Sequence, residues 1–362
     1  MKRSNSAGPP STGDGRSTRI VGLAAALATT LMTATGWGDE PAARTAPTEK
    51  PVAHLPVLSD REAWRFLPAA KSGAGQPLPA WARATARALP RTTAAMLDLD
   101  RMHRTRSPLG PILRGKMRWI AARANRCDYA MAYAEADLRR AGLDEAGLRN
   151  LRGDRAGWPE SERAALAFAH QMTVDASRVS DADVARLIAD HGESRVVAMV
   201  LLLAYANFQD RLILALGVSI EPGGPLPPPK IRFDPKADPP PVPERRRPED
   251  RPIPEEPERI DDASWLSMDF GDLKGRLEGQ MERPGRIRVP SWEEVLRAMP
   301  ADYRKPPKPV RIRWSLVTMG YQPELAAAWS ACTRAFGQEA RQDRVFEESL
   351  FWIVTRTIHC FY

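Results

Sequence analysis

Apolar residues recur at helical spacing along most of the chain. Residues 81–89, 92–102 and 113–125 carry apolar side chains three to four positions apart, which is the period of an amphipathic helix. Residues 127–141 continue as an alanine-rich helix, and Ser180 with Asp183 resembles a capping box at the start of another. No stretch shows convincing strand alternation. The pattern therefore predicts an all-α fold.

The most apolar segment, residues 194–216, is predicted to be a buried helix. Its length would suit a membrane span, but Arg195, Asn207 and Asp210 interrupt it. We expect Asn207 and Arg211 to satisfy buried carbonyl groups or a subunit interface. The sequence thus predicts no stable membrane insertion.

A repeat links two distant parts of the chain. Residues 117–129 reappear as residues 350–362, with Trp, Ile, Arg, Cys and Tyr at a constant offset of 233 positions (352 − 119). Cys127 and Cys360 occupy matching places. An internal repeat indicates that one fold unit is used twice. Trp119 and Trp352, which also match, are expected to be packing anchors.

Composition divides the chain into segments. Residues 222–257 are dense in proline and charged side chains, which favours an extended spacer. We assign residues 1–40 to a signal peptide or disordered N-terminus, 41–59 to a linker, 60–220 to a first helical module, 221–262 to a proline-rich linker and 263–362 to a second module. Because the second copy of the repeat extends only to Tyr362, we expect that module to be incomplete and poorly anchored.

The N-terminus predicts the location of the protein. Lys2 and Arg3 precede an uncharged stretch at residues 20–35, followed by small residues, as in a secretory signal peptide. On that interpretation the protein is exported or periplasmic. If the stretch is instead a disordered tail, the protein is cytoplasmic.

The charge of the chain and its missing motifs exclude several functions. The formal net charge is +8, but the basic residues are mixed with acidic ones, and no nucleic-acid-binding motif is present. His103, His170 and His191 lack metal-ligand spacing, and there is no P-loop and no dinucleotide fingerprint. We therefore expect no nucleic-acid partner, no metal and no cofactor.

Three segments carry a family resemblance. Residues 116–128, 162–169 and 204–212 together resemble the alkylhydroperoxidase D/carboxymuconolactone decarboxylase family. The resemblance implies two all-α modules in tandem, joined by the proline-rich linker, and an oligomeric protein. Redox members of the family carry a Glu twelve residues before a C-x-x-C pair, and a His one turn beyond it. The cysteine pair reduces peroxides while Glu and His relay protons. Decarboxylase members perform cofactor-free acid–base chemistry in the same pocket.

In the second copy, the resemblance assigns the redox residues. Cys360 matches the first cysteine of the pair, and Glu348, twelve residues earlier, matches the relay Glu. A cysteine at a helix N-terminus has a lowered pKa, which favours the thiolate. His359 lies beside Cys360 and is a further candidate for proton transfer. Cys360, Glu348 and His359 are therefore the predicted catalytic residues.

In the first copy, the motif is degenerate. Cys127 is present, but Gly115 stands at the relay Glu position, Ala130 at the second Cys and Ala134 at the His. Without partners that activate the thiol, Cys127 is expected to be a small buried apolar residue. Cys332 is likewise expected in the core.

The resemblance thus predicts a parent activity of thiol-based peroxide reduction from the second module. We expect little turnover from the chain as given, because neither copy holds a resolving cysteine. The substrate would be a peroxide or another small molecule, and the thiol reductant is unknown. Two alternatives stay open: a non-catalytic helical module that mediates assembly, and a cofactor-free decarboxylase. The apolar residues at 196–203 and 213–218 favour a homo-oligomer.

Overall fold

The computed structural model of this chain confirms the all-α class. It describes residues 54–153, 157–234, 237, 269–282, 284–301, 303, 305–306, 308–340 and 343–357. The described residues form fourteen α-helices, one 3₁₀ turn and two very short strands. Cys360 and His359 lie outside the described residues, as do residues 1–53 and most of the proline-rich segment.

Nine helices come from the first half of the chain. They are α1 (Asp60–Trp64), α2 (Ala80–Thr85), α3 (Pro90–Thr105), α4 (Pro111–Ala124), α5 (Asp128–Arg140), α6 (Glu145–Arg152), α7 (Glu160–Val174), α8 (Asp181–His191) and α9 (Glu193–Leu216). Five follow the proline-rich segment. They are α10 (Phe270–Glu282), α11 (Trp292–Ala298), α12 (Arg313–Tyr321), α13 (Pro323–Glu339) and α14 (Arg344–Thr357).

Helix α4 lies at the centre of the first half, where it packs against α5, α7 and α9. Because α4 is surrounded by these helices, its side chains Met117, Trp119 and Ile120 are buried in the core. Helix α9 is the one described helix whose length and composition would allow it to cross a membrane, and two-thirds of its apolar window is buried inside the protein. This burial is what the core helix of a folded domain requires, since its apolar side chains face other helices rather than solvent.

Part of the apolar surface on which we expected the first half to self-associate is buried within the chain, and the expected homo-oligomer stays a prediction. Val196, Val197, Leu203, Ile213 and Val218 are all buried within the chain itself. Asn207, in contrast, satisfies a buried carbonyl as anticipated, because its side-chain amide donates to Leu203 O at 2.9 Å.

A two-stranded ribbon ties the chain after α9 back to its beginning. Strands β1 (Ala70–Ser72) and β2 (Arg232–Phe233) pair antiparallel. Between α9 and β2, Glu221 and Ile231 are buried against the helices. The folded part of the first half therefore continues through Phe233, into the start of the proline-rich segment.

The helix boundaries on the two sides of the proline-rich segment recur at one spacing. The starts of α2 and α12, of α3 and α13, and of α4 and α14 are each 233 residues apart, the offset of the sequence repeat. The residues preceding α3 and α13 also share a backbone conformation: Leu89 has φ −140° and ψ 63°, and Gln322 has φ −136° and ψ 61°. Local structure thus repeats where the sequence repeats.

The two equivalent helices α3 and α13 pack against each other in antiparallel orientation. The Glu339 carboxylate, at the end of α13, accepts hydrogen bonds from the backbone N–H groups of Arg91 (2.7 Å) and Thr92 (2.8 Å), at the start of α3. At the other end, Arg106 pairs with Glu324 at 2.7 Å. Positions 91 and 324 are repeat equivalents, as are 106 and 339, so the contacts are reciprocal, as in an isologous interface.

Replacing Glu339 with Ala should lower the free energy of unfolding by about 1–2 kcal/mol. The loss follows because three donors at the start of α3, including the Thr92 hydroxyl, would lose a charged acceptor at the positive end of the helix dipole. Denaturant unfolding of the full chain measures the effect. Gln338→Ala, at the exposed neighbouring position, is the control and should change stability little. Equal stability of the Glu339 and Gln338 variants would contradict the capping role.

Candidate functional site

A small cavity of about 40 Å³ lies inside the first half of the chain, bounded by α2, α3, α4, α5 and α9. On this measure a single water needs about 10–15 Å³, so the cavity holds a few waters or one small molecule. Its lining combines aromatic, small and charged side chains. These are Trp81, Asp100, His103, Arg104, Arg114, Gly115, Arg118, Tyr129, Ala130, Tyr133, Ala134, Asp137, Leu202, Tyr205 and Gln209.

Three of the lining residues stand at the positions where the family resemblance places the redox motif. Gly115, Ala130 and Ala134 come from two helices, and all three face this one cavity. Leu138 occupies the space that a relay carboxylate at position 115 would need. A Cβ added at Gly115 would lie 2.6 Å from Leu138 Cδ2. The motif positions thus converge in space, although the side chains that would perform redox chemistry are absent.

Cys127 is a buried, protonated thiol. It is the N-cap residue of α5, and it is fully buried. Burial, followed by the nearby charge of Asp210, raises the pKa of this thiol to about 11. The expected effect of a helix N-terminus, a lowered pKa, is therefore outweighed by the loss of solvation. Cys332 is buried too, and burial raises the pKa of its thiol to about 11. Both expectations for these cysteines are consistent with the structure.

A buried ion pair anchors α4 to α9 beside Cys127. Asp210 is fully buried, and its carboxylate accepts from both terminal nitrogens of Arg118, with 3.0 Å between Arg118 Nη1 and Oδ2. Asn125 donates to the same oxygen at 3.0 Å, and Gln209 accepts from Arg118 at 3.1 Å. The charge on Arg118 is matched, and although burial lowers its pKa, Asp210 more than offsets this, so the pKa is raised.

A second ion-pair cluster joins α3 to α5. Arg104 forms a two-bond contact with Asp137, at 2.8 and 2.9 Å, and a third bond to Asp100 at 3.3 Å. Asp100 also accepts from Tyr205 at 2.8 Å and from Gln209 at 3.1 Å. Arg104 is therefore held by two carboxylates, and its orientation is fixed.

His103 is a neutral imidazole enclosed by these groups. Its ring stacks on Tyr205, with 4.5 Å between the centroids. Burial, together with the positive charges of Arg118 and Arg114, lowers the pKa of His103 to about 3. Its Nδ1 is buried and has no hydrogen-bond partner among the described residues. The ring can therefore accept or donate one more hydrogen bond inside the cavity.

The second copy presents a different surface. Glu348 lies on an exposed face of α14. Cys360 and His359 lie outside the described residues, so the arrangement of the three predicted catalytic residues stays a prediction. Trp119 is buried, as expected of a packing anchor, whereas its equivalent Trp352 is 43% exposed, so that expectation is wrong for Trp352.

The charged cavity wall was missed from sequence. Asp100, His103 and Arg104 lie within one turn of α3, on a helix that also buries Leu97, Leu99 and Met102. Polar residues at helical spacing beside buried apolar ones were the available signal. In sequence they are indistinguishable from a solvated face, since buried and exposed charges use the same residue types.

Comparison with known proteins leaves this geometry as the main guide to function. A scan against protein-family models and a search of curated proteins found no match to the chain. Within the described residues, no group of three or more His, Cys, Asp or Glu side chains could hold a metal ion.

Acid should destabilise the protein partly through His103. Its folded-state pKa of about 3 lies below the ordinary value of 6.5, so the unfolded chain binds a proton that the folded chain excludes. Above pH 6.5 His103 is neutral in both states and does not lower the free energy of unfolding. As the pH falls from 6.5 towards 3, proton uptake by the unfolded chain lowers that free energy by about 1.4 kcal/mol per pH unit. His103→Phe, which retains ring stacking, should flatten the fall in unfolding free energy between pH 7 and pH 5.

The control for this experiment is His54→Gln, at an exposed position outside the cavity. It should leave the acid dependence unchanged. If the His103→Phe protein loses as much stability between pH 7 and pH 5 as the unmodified chain, then His103 is not excluded from protonation in the folded state.

Proposed function

We propose that this protein is an alkylhydroperoxidase D-like helical protein with two copies of the fold unit. In this proposal, thiol-based peroxide reduction belongs to the second copy. The first copy retains the pocket but has lost the redox side chains. Cys360 is then the thiol that is expected to react with peroxide.

The convergence of Gly115, Ala130 and Ala134 on one buried cavity carries the proposal. These positions were selected only by their spacing from Cys127 in the family motif. The packing of α4 on α5 brings them to one pocket, which supports the arrangement that the motif implies. The recurrence of helix starts 233 residues later supports the same arrangement for the second copy.

In the second copy, the chemistry would proceed through Cys360. Its thiolate sulfur attacks one peroxide oxygen, the O–O bond breaks, and the alcohol leaves with a proton. The sulfur gives up two electrons and becomes a sulfenic acid. The resemblance assigns proton transfer to Glu348 and His359. A resolving thiol is needed to reduce the sulfenic acid and complete a cycle.

The first copy is unsuited to this reaction. Cys127 is fully buried, and its pKa of about 11 leaves very little thiolate at neutral pH. The acid–base groups that line its cavity are instead arginines, carboxylates, tyrosines and a neutral histidine. The proposal therefore assigns peroxide reduction to the second copy and the binding of any other ligand to the cavity of the first copy.

Exposure to an organic hydroperoxide should oxidise Cys360 in preference to Cys127 and Cys332. Sulfenic acid is trapped with dimedone, and each cysteine is quantified by mass spectrometry. We expect labelling of Cys360 at least tenfold faster than that of the other two, because burial suppresses their thiolates. Glu348→Gln should slow labelling at Cys360, whereas the adjacent Glu347→Gln should not.

Two results would contradict this proposal. One is labelling of Cys127 at a rate comparable to that of Cys360. The other is a Cys360 rate no greater than that of the same cysteine in the urea-unfolded chain. Cys360→Ser is the control for adducts formed elsewhere.

A second candidate, self-assembly, is favoured by the surface of α14. Val345, Phe346, Phe351 and Val354 are each more than half exposed. A cluster of exposed large apolar side chains on one helix is typical of protein–protein contact sites. In this candidate, the chain associates with further copies of itself through α14.

Phe351→Ser should shift the chain towards the monomer in sedimentation velocity at micromolar concentration. The expected cause is the loss of about 1.5–3 kcal/mol of apolar burial for each phenylalanine removed from a contact. Phe270→Ser, at an 80% exposed position on α10, is the matched control and should not change the distribution. A monomeric unmodified chain, or an equal shift by both variants, would exclude α14 as the association surface.

A further inference from the structure

The cavity in the first half is lined by one guanidinium that no carboxylate of the described residues contacts directly. Arg104 contacts Asp100 and Asp137, and Arg118 contacts Asp210. Arg114 lines the same cavity but makes no ion pair or side-chain hydrogen bond with any residue that the structure describes. A guanidinium that is partly withdrawn from water without a carboxylate in contact is costly to the folded state.

The surroundings of Arg114 reflect this cost. Burial lowers the pKa of its guanidinium, Asp137 opposes the effect from a distance, and Arg104 adds to it. The side chain lines the cavity and is partly buried. A carboxylate bound beside it would receive the two parallel hydrogen bonds that a guanidinium offers.

A second group in the cavity also lacks a partner. The His103 ring is 3% exposed, and its Nδ1 finds no hydrogen bond within the described part of the chain. The charge of Arg114 contributes to the low pKa of His103, which places both groups in one electrostatic environment. An unsatisfied buried nitrogen is a cost that a ligand bearing a hydrogen-bonding group would remove.

The arrangement is specific to the first copy. At the offset of 233 residues, His103, Arg104 and Arg114 correspond to Phe336, Gly337 and Glu347. The charged wall is therefore not a requirement of the fold unit, since the equivalent helices form without it. A structural role common to both copies does not explain its presence.

We propose that the first-half cavity binds a short-chain monocarboxylate, with the carboxylate on Arg114 and a further polar atom of the ligand, or a water, on His103 Nδ1. A monoanion is proposed because Arg114 is the lining guanidinium that no described carboxylate contacts, while Asp100 and Asp137 disfavour a second negative charge. The volume of about 40 Å³ admits only a few non-hydrogen atoms. Trp81, Leu202 and the tyrosine rings provide apolar contacts for a short tail.

This inference is independent of the redox proposal, since it involves neither Cys360 nor Glu348. Propionate is the probe, and ligand-observed NMR titration of the full chain at pH 7 is the measurement. We expect saturable binding of propionate, and no saturable binding of propionamide, its uncharged analogue, or of inorganic phosphate. Arg114→Gln should weaken propionate binding about tenfold or more, which is the loss expected for a charge-assisted hydrogen bond.

Arg211→Gln, at an exposed position on α9, is the matched control and should bind propionate normally. Circular dichroism establishes that each variant is folded, and Arg114→Lys replaces Arg114→Gln if the latter is not, with a smaller loss expected. The proposal is overturned if propionate does not saturate, if propionamide or phosphate binds as tightly, or if the Arg114 variant binds propionate as the unmodified chain does.

Discussion

The antiparallel contact between α3 and α13 is the interaction on which the rest of the structure depends. It joins helices from opposite sides of the proline-rich segment, and its contacts are reciprocal: Glu339 caps the start of α3, while Arg106 pairs with Glu324 at the other end. Helix α3 also carries Asp100, His103 and Arg104 into the cavity. The same helix therefore faces the second copy on one side and forms the candidate ligand site on the other.

Burial determines the chemistry of the groups around the cavity. Cys127 and His103 are both forced into their neutral forms, because the charged form of each would lose its solvation. The arginines remain charged, and two of them are held by carboxylates in multiple hydrogen bonds. The site that results is suited to binding a small anion rather than to nucleophilic attack by a thiol.

Periodicity predicted the helices before the proline-rich segment well because most of them bury apolar side chains, and serine caps such as Ser180 and Ser291 occur where helices begin. The starts of α13 and α14 lie at the repeat offset from those of α3 and α4. The cavity could be approached only through the spacing of Gly115, Ala130 and Ala134 from Cys127. The pairings of Arg118 with Asp210 and of Arg104 with Asp137 join separate helices, and one sequence offers no signal of which charges meet. The exposure of Trp352 was equally hidden, because its sequence matches that of the buried Trp119.

The central claim is that the two copies meet through α3 and α13, and a cross-linking measurement tests it directly. Cysteines replace Arg106 and Glu324, in a chain in which the three native cysteines are serine, and a short bifunctional maleimide is added at low protein concentration. The account predicts an intrachain cross-link between positions 106 and 324, detected by mass spectrometry of the peptides, and none between positions 106 and 345. Failure of the 106–324 pair to cross-link, or cross-linking only between chains, would contradict it.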